Sequence, residues 1–166
     1  MGNSFINVNV HLVFHVKSTG CTMREEDLPR VFHYIGGVIG SLSAHPYMVG
    51  GCVDHVHILT SLPVTMSLAE LVRAVKANSS RWIKGLDAHY NVFSWQEGYG
   101  AFSVSESNKA AVVNYIVNQR EHHRKYSMQE EFQIFLKKNG ITVDEWGCQV
   151  FDKKPRFLPP AYMIKI

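Results

Sequence analysis

Residues 5–17 alternate with a period of two. Ile6, Val8, Val10, Leu12, Phe14 and Val16 fall on one side; Asn7, Asn9, His11, His15 and Lys17 fall on the other, with Val13 the one apolar residue among them. This predicts a long strand with one face on a core and one polar face. Ser18-Thr19-Gly20 breaks it, and the period then becomes helical. Over 27–44, Leu28, Val31, Phe32, Ile35, Val38, Ile39 and Leu42 form an apolar stripe. Asp27 stands at the N-cap position and Pro29 in the first turn. Gly36 and Gly37 each weaken this helix by about 1 kcal/mol and allow close packing against a sheet.

Residues 47–52 and 53–60 read as two strands of a hairpin, the first carrying Gly50-Gly51 as a bulge or tight turn. Ser67 and Glu70 match a capping box that opens a helix running to about Lys84. Residues 85–98 form a loop whose aromatic side chains, Tyr90, Phe93 and Trp95, are expected to pack rather than to stack on bases. Alternation returns over 99–105 as a fourth strand. Helical spacing returns over 108–126, with Val112, Val113, Ile116 and Val117 on its apolar side. A short helix over 129–138 ends at Gly140. The remainder, with Pro155, Pro159 and Pro160, reads as an irregular tail. The chain thus divides into one domain over 1–141 and a tail over 142–166.

The order of elements predicts an α+β, ferredoxin-like (RRM-like) fold. It has an antiparallel sheet of four to five strands, helices mainly on one face, and an added C-terminal helix that carries Tyr115. The composition agrees: 166 residues, 46% apolar and 19% charged, describe a globular chain with a sizeable core. Cys21, Cys52 and Cys148 are odd in number and far apart. They support neither a disulfide framework nor a zinc finger, and suit a reducing cytosol. No basic segment followed by an apolar run opens the chain, and no apolar stretch is long enough to span a membrane.

The strand over 53–60 changes the picture. Alternate side chains of a strand share a face, so His55 and His57 stand side by side while Val56 and Ile58 face the core. Two imidazoles so placed can share one metal ion; equally, each can be a polar residue on a half-exposed strand. His11 and His15, on the polar face of the first strand, can approach the metal site or simply be exposed, and exposure is the favoured reading. The net charge of +3 is too small to prove nucleic-acid binding, so its distribution matters. Arg73, Lys76, Arg81 and Lys84 fall on one helix with no acid between Glu70 and Asp87, and with Ser80 among them. Such a face suits phosphate contacts, or is a solvated surface. Tyr115 and Gln119 lie one turn apart on one helical face.

His55-Val56-His57, followed by Tyr115-Ile116-Val117-Asn118-Gln119, resembles the single-tyrosine HUH transposases of small bacterial insertion sequences (IS200/IS605 type). Further matches are Asp54, Leu12-Val13-Phe14, Ser79-Ser80-Arg81, Trp95-Gln96-Glu97-Gly98-Tyr99-Gly100 and Asn114, covering about residues 5–141. The resemblance implies that His55, His57 and Gln119 hold one divalent ion, Mg²⁺ or Mn²⁺, and that Tyr115 is the nucleophile. It implies single-stranded DNA with hairpins as substrate and a 5′-phosphotyrosine intermediate. It also implies a homodimer whose active sites are shared between subunits, in a bacterial, nucleoid-associated, cytoplasmic setting. Arg73, Lys76, Ser80, Arg81, Lys84 and Arg120 are the candidate DNA contacts. The competing reading is a non-catalytic or domesticated nucleic-acid-binding protein of the same fold.

Overall fold

The computed structural model describes residues 5–17, 20–119, 133–134, 136–137, 140–143 and 149–150. The chain forms two compact units, Met1–Lys125 and Tyr126–Ile166. The first contains β1 (Asn9–His15), α1 (Leu28–Ser41), β2 (Pro46–Cys52), β3 (His55–Ser61), α2 (Leu68–Lys84), β4 (Gly100–Val104) and α3 (Lys109–Val117). Its four strands run antiparallel in the order β2-β3-β1-β4, the ferredoxin-like arrangement. In the second unit, β5 (Thr142–Val143) pairs with β6 (Gln149–Val150), so the tail contains a short ladder where an irregular segment was expected. Described residues of the expected helix over 129–138 are helical, and Gly140 follows them with φ 67°.

Alternation along β1 and β3 builds the core. Val10, Leu12, Phe14, Val56 and Ile58 meet Val31, Ile35 and Ile39 of α1 and Leu71, Val72 and Val75 of α2. Each fully buried aliphatic side chain contributes about 1.5–3 kcal/mol. The loop aromatics close the same core: Tyr90 and Phe93 are fully buried, and Trp95 packs edge-on against Phe14 and Phe93. They pack rather than stand open for bases, as expected.

Local chemistry fixes the elements, with two differences from the sequence reading. The Ser67–Glu70 capping box forms as expected: the Glu70 N–H donates to Ser67 Oγ (3.2 Å), and the Ser67 N–H donates to Glu70 Oε2 (2.8 Å). Asp27 does not cap α1. Its carboxylate instead accepts a 2.7 Å bond from the Tyr90 hydroxyl, which ties the helix start to the loop. The histidine strand begins at His55 rather than at 53, because Val53 and Asp54 form the turn from β2. Gly51 has φ 144°, and a Cβ there would lie 2.3 Å from the His55 carbonyl oxygen, so only glycine fits.

The second face of the sheet is also covered. A Cβ at Gly50 would meet Ile116 Cγ2 at 2.7 Å and the Ile116 carbonyl oxygen at 3.1 Å, so α3 rests directly on β2. The polar side of β1, expected to face solvent, is therefore buried: Asn9, His11 and Val13 are all under 6% exposed. β1 is central, with strands on both flanks, and α3 closes over the histidine side.

Candidate metal and nucleophile site

His55 and His57 project from β3 to the face that α3 covers, and both are buried. Their ring centroids are 5.0 Å apart. Asp54, placed beside His55 by the hairpin turn, lies 2.7 Å from His55 Nδ1. A carboxylate only accepts, so it draws the ring proton to Nδ1 and leaves Nε2 with a lone pair. That Nε2 lies 3.4 Å from Gln119 Oε1, itself an acceptor. In the Nδ1-protonated tautomer, His55 Nε2 and Gln119 Oε1 are close enough in this buried site to share a cation.

The donor set fits a divalent metal on these grounds. Among the described residues, no three His, Cys, Asp or Glu side chains form a metal-holding group. Gln119 adds an amide oxygen, 3.4 Å from His55 Nε2, to the two imidazoles. Imidazole nitrogen favours Mn²⁺ over Mg²⁺, which prefers oxygen.

Tyr115 joins the same cluster. Its ring stands edge-on to His57 at 5.5 Å and to His11 at 6.1 Å. The i, i+4 spacing sends Tyr115 and Gln119 to one side, toward the histidines, while Ile116 seats the helix on Gly50. The structure thus brings His55, His57, Tyr115 and Gln119 together from β3, α3 and the residues just past it.

His11 corrects the sequence reading. Expected to be exposed, it is 1% exposed, and its Nε2 lies 3.0 Å from His57 Nδ1. Burial pushes its pKa down to about 4, so it is neutral at pH 7. Its signal was the four-residue spacing from His15, an even number that puts both on one face of a strand that proves central. His15, half-buried, places its ring 5.4 Å from that of His55.

The candidate DNA contacts divide. Arg73, Lys76 and Ser80 line a cavity of about 460 Å³ with Trp95, Gln96, Glu97 and Tyr99. Arg81 and Lys84 are exposed on α2 outside that lining, and Arg120 lies outside the described residues. Lys76 is drawn inward. Its ammonium donates to the carbonyls of Gln96 (2.9 Å), Glu97 (3.3 Å) and Gly98 (2.7 Å) and sits 4.9 Å from the Phe14 ring centre. Burial lowers its pKa to about 8. The loop it holds also reaches the histidines: the Gln96 N–H donates to the His15 carbonyl (2.9 Å), and Gln96 Nε2 lies 3.5 Å from His15 Nδ1.

A family model described as IS200-like transposase matches residues 4–119, which span all four strands of the main sheet, the two histidines, Tyr115 and Gln119. The chain belongs to the IS200-like transposase family, a class of DNA-processing enzymes. Several solved structures share the fold, among them these two. One is a protein from Deinococcus radiodurans R1 described as a candidate transposase, at 20% identity and a TM-score of 0.55, covering 72% of this chain and 96% of that one. The other is a REP-associated tyrosine transposase bound to a REP hairpin, at 14% identity and a TM-score of 0.54, covering 74% and 73%. No curated protein matches the chain.

Proposed function

We propose that this transposase cleaves and rejoins single-stranded DNA at hairpin-bearing insertion-sequence ends, with Tyr115 as nucleophile. The observation that carries this is the convergence of the Tyr115 ring on His57, beside the facing acceptors His55 Nε2 and Gln119 Oε1. The hairpin-bound structural relative supports a hairpin substrate.

His55, His57 and Gln119 would hold one divalent ion, Mg²⁺ or Mn²⁺. When bound, that ion supplies positive charge against the phosphodiester and the developing negative charge of the transition state. The chain's own residues do the rest. Asp54 holds the His55 ring so that Nε2 points inward, and α3 holds Tyr115 beside the histidines. The phenolic oxygen, on losing its proton, attacks phosphorus. A bond forms between tyrosine oxygen and the 5′ phosphate, the bond to the 3′ oxygen breaks, and that oxygen leaves as a 3′-hydroxyl after taking a proton. The phosphotyrosine conserves the phosphodiester energy, so a second 3′-hydroxyl rejoins the strand without ATP. Burial of the site under α3 limits hydrolysis by water.

On this reading residues 1–141 are the catalytic domain and 142–166 a tail. The enzyme works as a homodimer, in a bacterial cytoplasm at the nucleoid. Among the described residues no helix is long and apolar enough to cross a membrane. Arg73, Ser80, Arg81, Lys84 and Arg120 contact DNA, while Lys76 holds the cavity wall.

A covalent-trapping assay tests the proposal. Labelled single-stranded oligonucleotides carrying the flanking hairpins are incubated with protein and Mn²⁺ or Mg²⁺ and run on a denaturing gel. A metal-dependent adduct, absent in Tyr115→Phe and in His55→Ala, is expected. Intact binding with no adduct would establish the alternative, a non-catalytic or domesticated nucleic-acid-binding protein.

A further inference from the structure

The pleat places His11 of β1 next to His57 of β3 on the covered face. The backbone partner of His57 is Val13 and that of His11 is Leu59, so the two histidines are diagonal neighbours. Both are buried, and their nearest nitrogens, His11 Nε2 and His57 Nδ1, are 3.0 Å apart. When both rings are neutral, two imidazoles at that distance share one proton, which leaves two arrangements. If His11 donates, His57 carries its own proton on Nε2 and that nitrogen has no lone pair for a metal. If His57 donates from Nδ1, its Nε2 has the lone pair and His11 carries its proton on Nδ1.

We propose that His11 is a positioning residue that accepts the Nδ1–H of His57 and so fixes the tautomer in which His57 Nε2 is a metal ligand. This rests on the reading of His55, His57 and Gln119 as the metal-holding set. It gives the two ligating histidines matched but chemically different supports. Asp54 orients His55 through a carboxylate at 2.7 Å, and His11 orients His57 through a neutral imidazole at 3.0 Å. The carboxylate stands in a half-exposed turn, where its charge is solvated. The partner of His57 lies at the centre of the sheet, 1% exposed, where an isolated carboxylate would be costly to bury. A neutral acceptor on a central strand serves the same purpose without that cost. Phe102 and Tyr115 lie against the His11 ring, at centroid distances of 6.4 and 6.1 Å. The bond also connects the nucleophile's neighbour to the sheet, because the Tyr115 ring meets both imidazoles.

The test uses the full chain labelled with ¹⁵N-histidine. Long-range ¹H–¹⁵N spectra of the metal-free protein report which nitrogen of each ring carries the proton, and a separate Mn²⁺ titration reports affinity. In the wild type the His57 proton is expected on Nδ1. In His11→Phe, which keeps a ring but removes the acceptor, the proton should move to Nε2, the position free imidazoles favour. Mn²⁺ affinity should fall about tenfold or more, with near-UV circular dichroism unchanged. His11→Gln returns an oxygen acceptor near the position of Nε2 and should recover most of that affinity.

A wild-type spectrum with the His57 proton on Nε2 would overturn the proposal even if His11→Phe does not fold. So would unchanged Mn²⁺ affinity in a folded His11→Phe. His11→Gln as weak as His11→Phe would show that ring shape, not hydrogen-bond acceptance, is what matters. A wild-type chain that binds no Mn²⁺ at all would instead overturn the metal reading itself, whichever nitrogen carries the proton.

Discussion

Ile116 of α3 lies against the backbone of Gly50 in β2, at a distance that leaves no room for a methyl group on position 50. The contact sets how deeply α3 sinks onto the sheet, and with it where Tyr115 and Gln119 meet the histidines. Gly50→Ala should cost about 1–3 kcal/mol through overpacking. Because the strain falls under the nucleophile's helix, adduct formation should drop further than stability alone explains. Urea unfolding and the trapping assay, run on the same preparation, separate the two effects.

Ser79 supports the opposite side of the sheet. Its buried hydroxyl accepts the Trp95 Nε1–H at 2.9 Å and donates to the Val75 carbonyl at 2.7 Å. Ser79→Ala leaves the indole N–H without that partner in the core, at a cost of about 1–3 kcal/mol. The midpoint of denaturant unfolding should fall accordingly, and Trp95 fluorescence should shift as the ring resettles.

Lys76 and its basic neighbours on α2 should behave differently. Arg73→Ala and Arg81→Ala are each expected to weaken single-stranded DNA binding and to reduce the slope of log K against log salt by about 0.7, the value for one phosphate on a single strand. Lys76→Met should instead raise hydrogen exchange at residues 96–98, whose carbonyls its ammonium holds, and change the salt slope little. Fluorescence anisotropy at several salt concentrations, with exchange mass spectrometry, checks both halves.

His11 makes stability depend on pH. Its pKa falls from 6.5 to about 4 on burial, so between those values the unfolded chain binds more protons than the folded one. Stability therefore rises with pH over this window. The contribution is fully present above 6.5 and is lost as pH falls toward 4, and it amounts to about 3 kcal/mol at ~1.4 kcal/mol per pH unit. Thermal unfolding of metal-free protein from pH 4 to 7 should show a flatter profile for His11→Asn than for wild type.

The order of elements along the chain was legible because the strands and helices of the first unit declare their periods. Ile35 and Ile39 recur as a helix requires, and Leu12 and Phe14 as a strand requires. The pair His55 and His57 was legible for the same reason, since a pleat dictates which residues share a face. The position of His11 was not. Its environment is set by α3, which lies about a hundred residues later in the chain, and by the strand order that puts β1 between β3 and β4. Asp27 misled for a related reason: it has the chemistry of a helix cap, but the Tyr90 hydroxyl, 63 positions away, claims its carboxylate. Lys76 reads as a surface cation until the 94–99 loop folds back over it. In each case local pattern identified the element, and a distant contact decided what the side chain does.

The hairpin that starts with Gly51 and turns at Val53-Asp54 has a consequence for heredity. Its two histidines, the carboxylate that supports His55 and the glycine that permits the turn lie within seven consecutive positions, Gly51 to His57. A missense change there removes one group and leaves the others in place. Insertion or loss of a single codon between the turn and His57 would reverse the pleat for part of the strand, sending an imidazole into the apolar layer and an aliphatic chain into the site. Lineages that carry this gene should therefore vary in length at the surface loops, such as 62–66, and hold the spacing of this hairpin constant for as long as the enzyme remains active.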